Sequence, residues 1–281
     1  MHIRYPRLSV LPALPTCGAA LLGAAFITAA GPAQAQPFSV NYEFFFGGFH
    51  VMNAEANWEQ TAGSYTIAGS AETQGFVGWL HPWKGNTSSE GRIDGDKVIP
   101  ARHENWGLAD KGERIVELTY DSDGDLSNAL VQPEQDWEER FPLPENAGDG
   151  TVDPLSVIAG LSQLLQENGR CEGEFAVFDG RKRYNLFVSD AGETDLEPSD
   201  YSIYAGPAHG CRLEYELLGG HRVERNKYAD TAHDRVVWVA RPEQGAPLVP
   251  VRLEIETDYG TLMGHLTGFG HGLQAEAKLA Q

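Results

Sequence analysis

Three consecutive cationic side chains, Arg181, Lys182 and Arg183, stand out in a chain whose formal net charge is −19. Cations that share one surface can bind phosphate, a lipid head group or nucleic acid. Asp179 and Gly180, directly before them, predict a two-residue hairpin turn. Because side chains alternate along a strand, this turn places Arg181 and Arg183 on one face and Lys182 on the opposite, apolar face. Arg181 and Arg183 are therefore the candidate anion-binding residues, and paired charges on a solvated face are the alternative.

The segment GFVGWLHPWKG (75–85) contains the second group of candidate residues. It concentrates large apolar side chains, those of Phe76, Trp79, Leu80 and Trp83, in a stretch rich in glycine and proline. Exposed apolar side chains in a loop can contact a lipid, an acyl chain or a partner protein. The alternative is that they close one end of the fold as part of its core, because large aromatic residues are mostly buried.

No motif for metal binding or catalysis is found in the sequence. Asp121, Asp123 and Asp125 resemble the start of a calcium loop, but the glycine is at position four instead of six, so a turn is predicted. His265 and His271 have no carboxylate at ligand spacing and are predicted to be structural or surface residues. HExxH, GxSxG and phosphate-binding glycine motifs are missing. We therefore expect no metal, no cofactor and no catalytic residue.

The N-terminal segment, residues 1–35, has the features of a cleaved signal peptide. It combines a positively charged start with an apolar stretch at 19–31 and small residues at 33 and 35. We therefore expect secretion into the periplasm, with cleavage near Ala35-Gln36, and no transmembrane span in the mature chain.

Two cysteines, Cys171 and Cys211, follow this segment and are about 40 residues apart. Two thiols in an exported protein most often form one disulfide. Both lie on the apolar face of a predicted strand, so we expect a buried bridge between neighbouring strands. A metal site is disfavoured because neither has a CxxC or Cys–His partner. Cys17 lies within the signal peptide, and the residues before it do not fit a lipoprotein signal.

Apolar and polar residues alternate along most of the chain. The pattern is clear in FSVNYEFFF (38–46), RIVELTYD (114–121) and VRLEIETD (251–258). Such alternation is typical of half-buried antiparallel strands, and turn signals between them suggest about twelve to fourteen strands. The fold class is therefore predicted to be all-β.

One segment departs from this alternation and predicts a helix over residues 154–167. Asp153 is a natural N-cap, and Gly169 supplies a stop. We expect the helix to pack on the concave face of the sheet or at one of its open ends. The acidic, proline-rich segment at about 132–152 connects the two halves of what we expect to be a single β-rich domain, 36–281.

Several segments resemble, in the same order, an exported bacterial family known as domain of unknown function 3108. They are GRCEGEFAVFDGRKRYNL (169–186), YSIYAGPAHGCRLEYELLGG (201–220), YEFFFGGFHVMNAEANW (42–58), SYTIAGSAETQGFVGWLHPWKGNTSSEGRI (64–93) and VDPLSVIAGL (152–161). The resemblance covers essentially the whole mature chain. It implies an exported, β-rich envelope protein with no established catalytic residues. By analogy we expect a strongly curved antiparallel sheet, a half-barrel similar to the lipoprotein carriers.

The expected function is non-enzymatic binding in the cell envelope by a monomer. The ligand would be a lipid, a lipoprotein acyl chain or another envelope protein, while the acidic charge argues against nucleic acid. The alternatives are a structural scaffold and an envelope-polymer hydrolase that uses two of the 40 acidic residues. Two inward carboxylates about 5–10 Å apart in a polar cleft would favour the hydrolase, and an apolar groove would favour binding.

Overall fold

The structure is a computed structural model that describes residues 37–135, 137–223, 233–257 and 259–272. The predicted signal peptide, 1–35, and its cleavage site lie outside the described residues.

Thirteen strands and two helices follow one another along the described chain. They are β1 (Phe38–Phe46), β2 (Phe49–Gln60), β3 (Ser64–Thr73), α1 (Gly75–Leu80), β4 (Trp83–Asp94), β5 (Lys97–Ala109), β6 (Gly112–Tyr120), β7 (Leu126–Gln132), α2 (Pro154–Asn168), β8 (Gly173–Phe178), β9 (Arg183–Leu196), β10 (Gly206–Gly219), β11 (Arg235–Ala240), β12 (Val249–Thr257) and β13 (Gly260–His271).

All thirteen strands belong to one open sheet in the order β7-β6-β5-β4-β3-β2-β1-β13-β12-β11-β10-β9-β8. Every neighbouring pair is antiparallel, and β1 pairs with β13, which joins the N-terminal and C-terminal strands at the centre. The predicted antiparallel fold is confirmed.

The sheet curves so strongly that its two ends approach each other. Phe178, on edge strand β8, packs in one buried cluster with Val116 and Leu118 of β6. Nη2 of Arg181, in the β8–β9 turn, donates to the carbonyl oxygen of Gln132, which ends edge strand β7, at 2.7 Å. Each strand pair adds a right-handed twist of about 20–25°, and several bulges add to it.

Helix α2 begins and ends where the sequence predicts. Oδ1 of Asp153 accepts hydrogen bonds from the backbone N–H groups of Leu155 and Ser156, and Gly169 ends the helix in the left-handed conformation, with φ 65°. The helix packs closely on the sheet, because a Cβ added to Gly160 would lie 2.6 Å from the ring of Phe175. Among the described residues no helix combines the length and apolar composition needed to cross a membrane.

Helix α1, six residues long, was not predicted. Its segment holds two glycines, Gly75 with φ 58° and Gly78, whose added Cβ would lie 2.7 Å from the carbonyl oxygen of Thr73. A helix this short completes fewer than two turns, so it leaves no periodic pattern in the sequence.

The connector at 132–152 lies between β7 and α2, and its described residues beyond β7 form isolated bridges instead of strands or helices. Arg140 pairs with Arg222, and Val152 pairs with Val177. Because the strands on both sides of the connector share one sheet, a single domain stays the expected organisation.

The β8–β9 hairpin differs from its predicted register. Phe178 pairs with Arg183, so the turn has four residues, 179–182, instead of two. Oδ1 of Asp179 accepts from the backbone N–H groups of Arg181 and Lys182, at 2.9 and 2.6 Å, and these bonds hold the wider turn. The error is a shift of two residues, so each side chain within β8 and β9 remains on its predicted face.

The disulfide between Cys171 and Cys211 is present, with 5.3 Å between the Cα atoms and both residues fully buried. The bridge does not join neighbouring strands, which corrects the prediction. Cys171 precedes β8 and Cys211 lies on β10, while β9 is the strand between those two. Cys171 lies before the first residue of β8, so strand pairing does not restrict it to contact with β9.

Candidate ligand-binding cavity

The concave face of the sheet and α2 enclose a cavity of about 580 Å³. Strands β1–β3, strands β9–β13 and one side of α2 line it, with side chains that are almost all apolar. They include Val40, Trp58, Ile158, Leu213 and Val237. Sites for small ligands typically measure about 300–1,000 Å³. The cavity therefore has the size and the lining of a site for an apolar ligand.

Small residues on the concave face keep part of this space open. Ala56 of β2 and Gly69 of β3 both line the cavity and are direct partners in the sheet. Gly264 of β13 also lines it and accommodates the ring of Phe44, because a Cβ added there would lie 2.7 Å from that ring. At Ala56 a larger side chain would occupy volume that is now available to a ligand.

The start of α2 is fixed to the sheet by buried polar side chains. Oδ2 of Asp153 accepts hydrogen bonds from the hydroxyl groups of Ser89, at 2.9 Å, and Ser156. Nδ1 of His103 lies 3.1 Å from Oδ1 of Asp153. The hydroxyl groups of Tyr65 and Ser156 lie 2.5 Å apart. All five side chains are at most 2% exposed. We call Tyr65, Ser89, His103, Asp153 and Ser156 the buried polar cluster.

Charge and protonation in the buried polar cluster follow from burial and hydrogen bonding. Burial acts to raise the pKa of Asp153. The opposing effects are larger and hold this pKa below its ordinary value: His103 contributes a hydrogen bond and its charge, and Ser156 donates hydrogen bonds. Burial, together with the negative charge of Asp153, raises the pKa of Tyr65 to about 12. Asp153 is therefore ionised and Tyr65 is neutral across the physiological range.

The buried polar cluster differs from a hydrolytic triad. In a triad the histidine lies between the serine and the acid, whereas here Asp153 lies between Ser156 and His103. The arrangement also lies out of contact with solvent. Its geometry supports a structural role, in which it holds α2 against β3, β4 and β5 beside the cavity.

The cavity opens to solvent at one end of the strands. Val40 and Trp58 are 1% and 4% exposed, whereas Tyr215 is 41% exposed and the side chain of Lys182 is 44% exposed. The guanidinium of Arg235 lies over the ring of Tyr215, 4.3 Å from its centroid. We call the region around Lys182, Tyr184, Tyr215 and Arg235 the mouth.

The two arginines predicted to bind an anion lie apart from the cavity lining. Arg181 donates to the carbonyl oxygens of Gln132 and Pro133, at 2.7 and 3.0 Å. Arg183 donates to the carbonyl oxygen of Tyr184 and to Oδ1 of Asn185, at 2.6 and 2.8 Å. Their role as an anion site stays a prediction. Lys182, which alternation assigns to the apolar face, does line the cavity.

The apolar side chains of 75–85 are exposed. Phe76 is 67% exposed, Trp79 77%, Leu80 49% and Trp83 39%. Phe44 lines the cavity and pairs with Met52, which pairs with Thr73, the residue that ends β3 just before α1. Helix α1 therefore begins at the same end of the strands as Phe44. Its role in ligand binding stays a prediction.

The buried polar cluster and the position of Arg235 were not predicted from the sequence. Ser89 and Asp153 are 64 residues apart, and Tyr65 and Ser156 are 91 apart, so no local motif marks them. One pattern in the sequence could have indicated Arg235. It shares every second position of β11 with Val237 and Val239, which line the cavity. Within the described ranges, no group of three or more His, Cys, Asp or Glu residues could hold a metal ion.

Comparison with known proteins supports the fold and identifies the family. A β-barrel-like protein of domain of unknown function DUF1849 from Brucella abortus matches 85% of this chain and 99% of its own, with 12% identity and a TM-score of 0.51. A DUF1089 family protein from Pseudomonas aeruginosa matches 74% of this chain and 86% of its own, with 12% identity and a TM-score of 0.27. Among curated proteins no match is found.

The resemblance seen in the sequence is confirmed by the family comparison. The sequence profile described as "protein of unknown function (DUF3108)" matches residues 38–267. This match spans most of the chain, and the protein belongs to the DUF3108 family.

Proposed function

We propose that this protein is a non-enzymatic envelope protein of the periplasm that binds a lipid or a lipoprotein acyl chain inside its cavity. The observation that carries the proposal is the cavity of about 580 Å³ with an almost wholly apolar lining. Transfer of apolar surface from water into such a space is favourable by roughly 25 cal/mol per Å². The periplasmic location rests on the signal peptide features of residues 1–35.

The lining favours binding over hydrolysis of an envelope polymer. Glycoside hydrolysis normally requires two carboxyl groups that flank the scissile bond. The described lining of this cavity contains one carboxylate, that of Asp179. Its Oδ1 already accepts two backbone hydrogen bonds within the turn that it begins.

Mass spectrometry of the protein purified from its native periplasm tests the proposal. We expect lipid or an acylated species to copurify with the wild-type protein. Ala56→Trp places an indole in the cavity and should reduce the bound material about tenfold or more, with the fold retained. Glu55→Trp is the matched control, because Glu55 is the next residue of β2 and its exposed side chain bonds to Ser70. Wild-type protein free of any apolar ligand would contradict the proposal.

A second role, contact with a partner in the envelope, is favoured by the exposed apolar side chains near α1. Phe49, on the hairpin between β1 and β2, is 75% exposed and lies at the same end of the strands as Phe76 and Trp79. Contiguous exposed apolar side chains commonly mark a protein or membrane contact. We propose that these side chains contact the donor or acceptor of the ligand.

A further inference from the structure

We infer that the ligand is a single-chain anionic amphiphile, whose acyl chain fills the cavity and whose carboxylate or phosphate head group lies at the mouth between Lys182 and Arg235. This inference rests on the proposed function and adds the chemical class of the ligand. It is carried by the depth of the cavity, by the charges at its open end and by the hydroxyl groups beside them.

The depth of the cavity matches one acyl chain. Along β1 the lining runs from Phe44, at the open side, to Val40, which is 1% exposed. Four residues of an antiparallel strand span about 14 Å. The hydrocarbon core of a bilayer is about 30 Å thick, so the acyl chains of one leaflet extend about 15 Å. One chain inserted from the mouth therefore reaches the buried end.

The charges at the mouth favour an anion. Lys182 lines the cavity, and Arg235 alternates with the lining residues Val237 and Val239 and stacks on Tyr215. The one carboxylate in the described lining, Asp179, lies 3.7 Å from Nζ of Lys182 and accepts two backbone hydrogen bonds. Arg252 also lines the cavity, but its Nε lies 3.0 Å from Oε1 of Glu254 and is compensated. Lys182, Arg235 and the partly compensated Asp179 therefore leave the mouth with a net positive charge.

This local charge is opposite to that of the whole molecule. The chain has a formal net charge of −19, which would repel anions from most of its surface. Charges farther away than about 8 Å are largely screened at physiological ionic strength, so a bound head group responds mainly to the mouth. An unpaired anion at the edge of an apolar cavity would be costly, and two neighbouring cations remove much of that cost.

On β10, Tyr215 lies between the levels of the two cations. Lys182 directly precedes β9, whose first residue, Arg183, pairs with Gly219, and Arg235 begins β11, whose Val236 pairs with Arg212. A head group beside Tyr215 therefore has one cation on each side. Burial raises the pKa of Tyr184, so its hydroxyl group stays protonated and can donate a hydrogen bond. The rings of Tyr184 and Tyr215 are in edge contact, with centroids 6.3 Å apart.

The experiment compares ligands that share one alkyl chain and differ in the head group. The purified mature protein, stripped of lipid on a hydrophobic resin, is loaded with the neutral fluorophore 1-N-phenylnaphthylamine. Hexadecanoate, hexadecyl phosphate, 1-hexadecanol and hexadecyltrimethylammonium are then added below their micelle concentrations. We expect at least one of the two anions to displace the fluorophore about tenfold more tightly than the alcohol, as charge-assisted hydrogen bonds would give. The tighter anion identifies the head group as carboxylate or phosphate.

Variants assign this preference to the mouth. The double variant Lys182→Gln, Arg235→Gln should bind the anions about as weakly as the alcohol, while its affinity for the alcohol stays at the wild-type value and reports an intact cavity. Lys84→Gln is the control, because this exposed lysine lies over the ring of Trp106 and outside the cavity. Equal wild-type affinity for the anions and the alcohol would overturn the inference and leave apolar binding intact. No binding of the fluorophore or of any chain would overturn the proposed function as well.

Discussion

Nδ1 of His103, on β5, lies 3.1 Å from Oδ1 of Asp153, the residue that caps α2. The side chains are 2% and 0% exposed, so this contact joins the helix to the sheet in a region without solvent. A buried carboxylate is tolerated only when its lone pairs are satisfied, and here two hydroxyl groups and two backbone N–H groups complete the set. The position of α2 against the cavity therefore depends on one ionised side chain.

Removal of this carboxylate should be strongly destabilising. In Asp153→Ala, the buried polar groups of Ser89, His103 and Ser156 lose their common partner, and the helix loses its cap. The expected loss in the free energy of unfolding is about 3–5 kcal/mol, measured by urea denaturation. Asp149→Ala, at an exposed position before the helix, should change it by less than about 0.5 kcal/mol. A loss of that small size in Asp153→Ala would show that the buried polar cluster does not hold the helix.

The free energy of unfolding should decrease as the pH falls below about 6.5, because of His265. Burial, helped by the positive charge of Arg252, lowers the pKa of His265, so the folded state binds a proton less readily than the unfolded state. The contribution of His265 is therefore complete above about pH 6.5 and is lost progressively as the pH falls towards the lowered pKa.

The variant His265→Phe tests this pH dependence. It keeps an aromatic ring beside Tyr201 and removes the titrating group. The free energy of unfolding, measured by denaturation at a series of pH values from 7 down to about 5, should fall less steeply in the variant than in the wild type. Tyr201→Phe, which alters the same contact without removing the histidine, should keep the wild-type slope. Identical slopes in wild type and His265→Phe would contradict the assignment.

Much of the fold follows from local patterns in the sequence. Alternation alone places Phe175, Tyr184 and Leu186 on one face, and the structure agrees even though the register differs by two residues. The helix boundaries follow from the capping chemistry of Asp153 and Gly169. These features were predictable because each depends on neighbours within a few residues.

Features that depend on distant partners were not predictable in this way. The four-residue turn is held by the side chain of Asp179, which competes with the tighter turn for the same backbone N–H groups. The buried polar cluster joins β3, β4, β5 and α2, and only the three-dimensional course of the sheet brings those elements together. Whether the concave face is filled or open depends on the pairing of Ala56 with Gly69, which alternation does not specify.

Reduction of the disulfide should cost stability without a change of fold class. The bridge closes a loop of 40 residues, for which the chain-entropy estimate is about 4 kcal/mol. Denaturation of the wild-type protein with and without a reductant should show a loss of roughly 2–4 kcal/mol. The reductant should have no effect on Cys171→Ala, Cys211→Ala, and an effect of equal size there would show that the loss has another origin.

Exchange of the ligand with a membrane should depend on the exposed aromatic side chains of α1. Phe76 and Trp79 are 67% and 77% exposed, so Phe76→Ala, Trp79→Ala should leave stability and equilibrium affinity for an alkyl chain nearly unchanged. In the proposed function both rings contact a partner surface at the end of the strands where the cavity opens, because burial of aromatic rings on that surface is favourable. We therefore expect transfer of a fluorescent fatty acid from the protein to neutral phosphatidylcholine vesicles to slow several-fold in this variant. Leu130→Ala, at an apolar residue on β7 that is 39% exposed, should transfer at the wild-type rate. Wild-type transfer by the double variant would show that these aromatic side chains do not contact the acceptor.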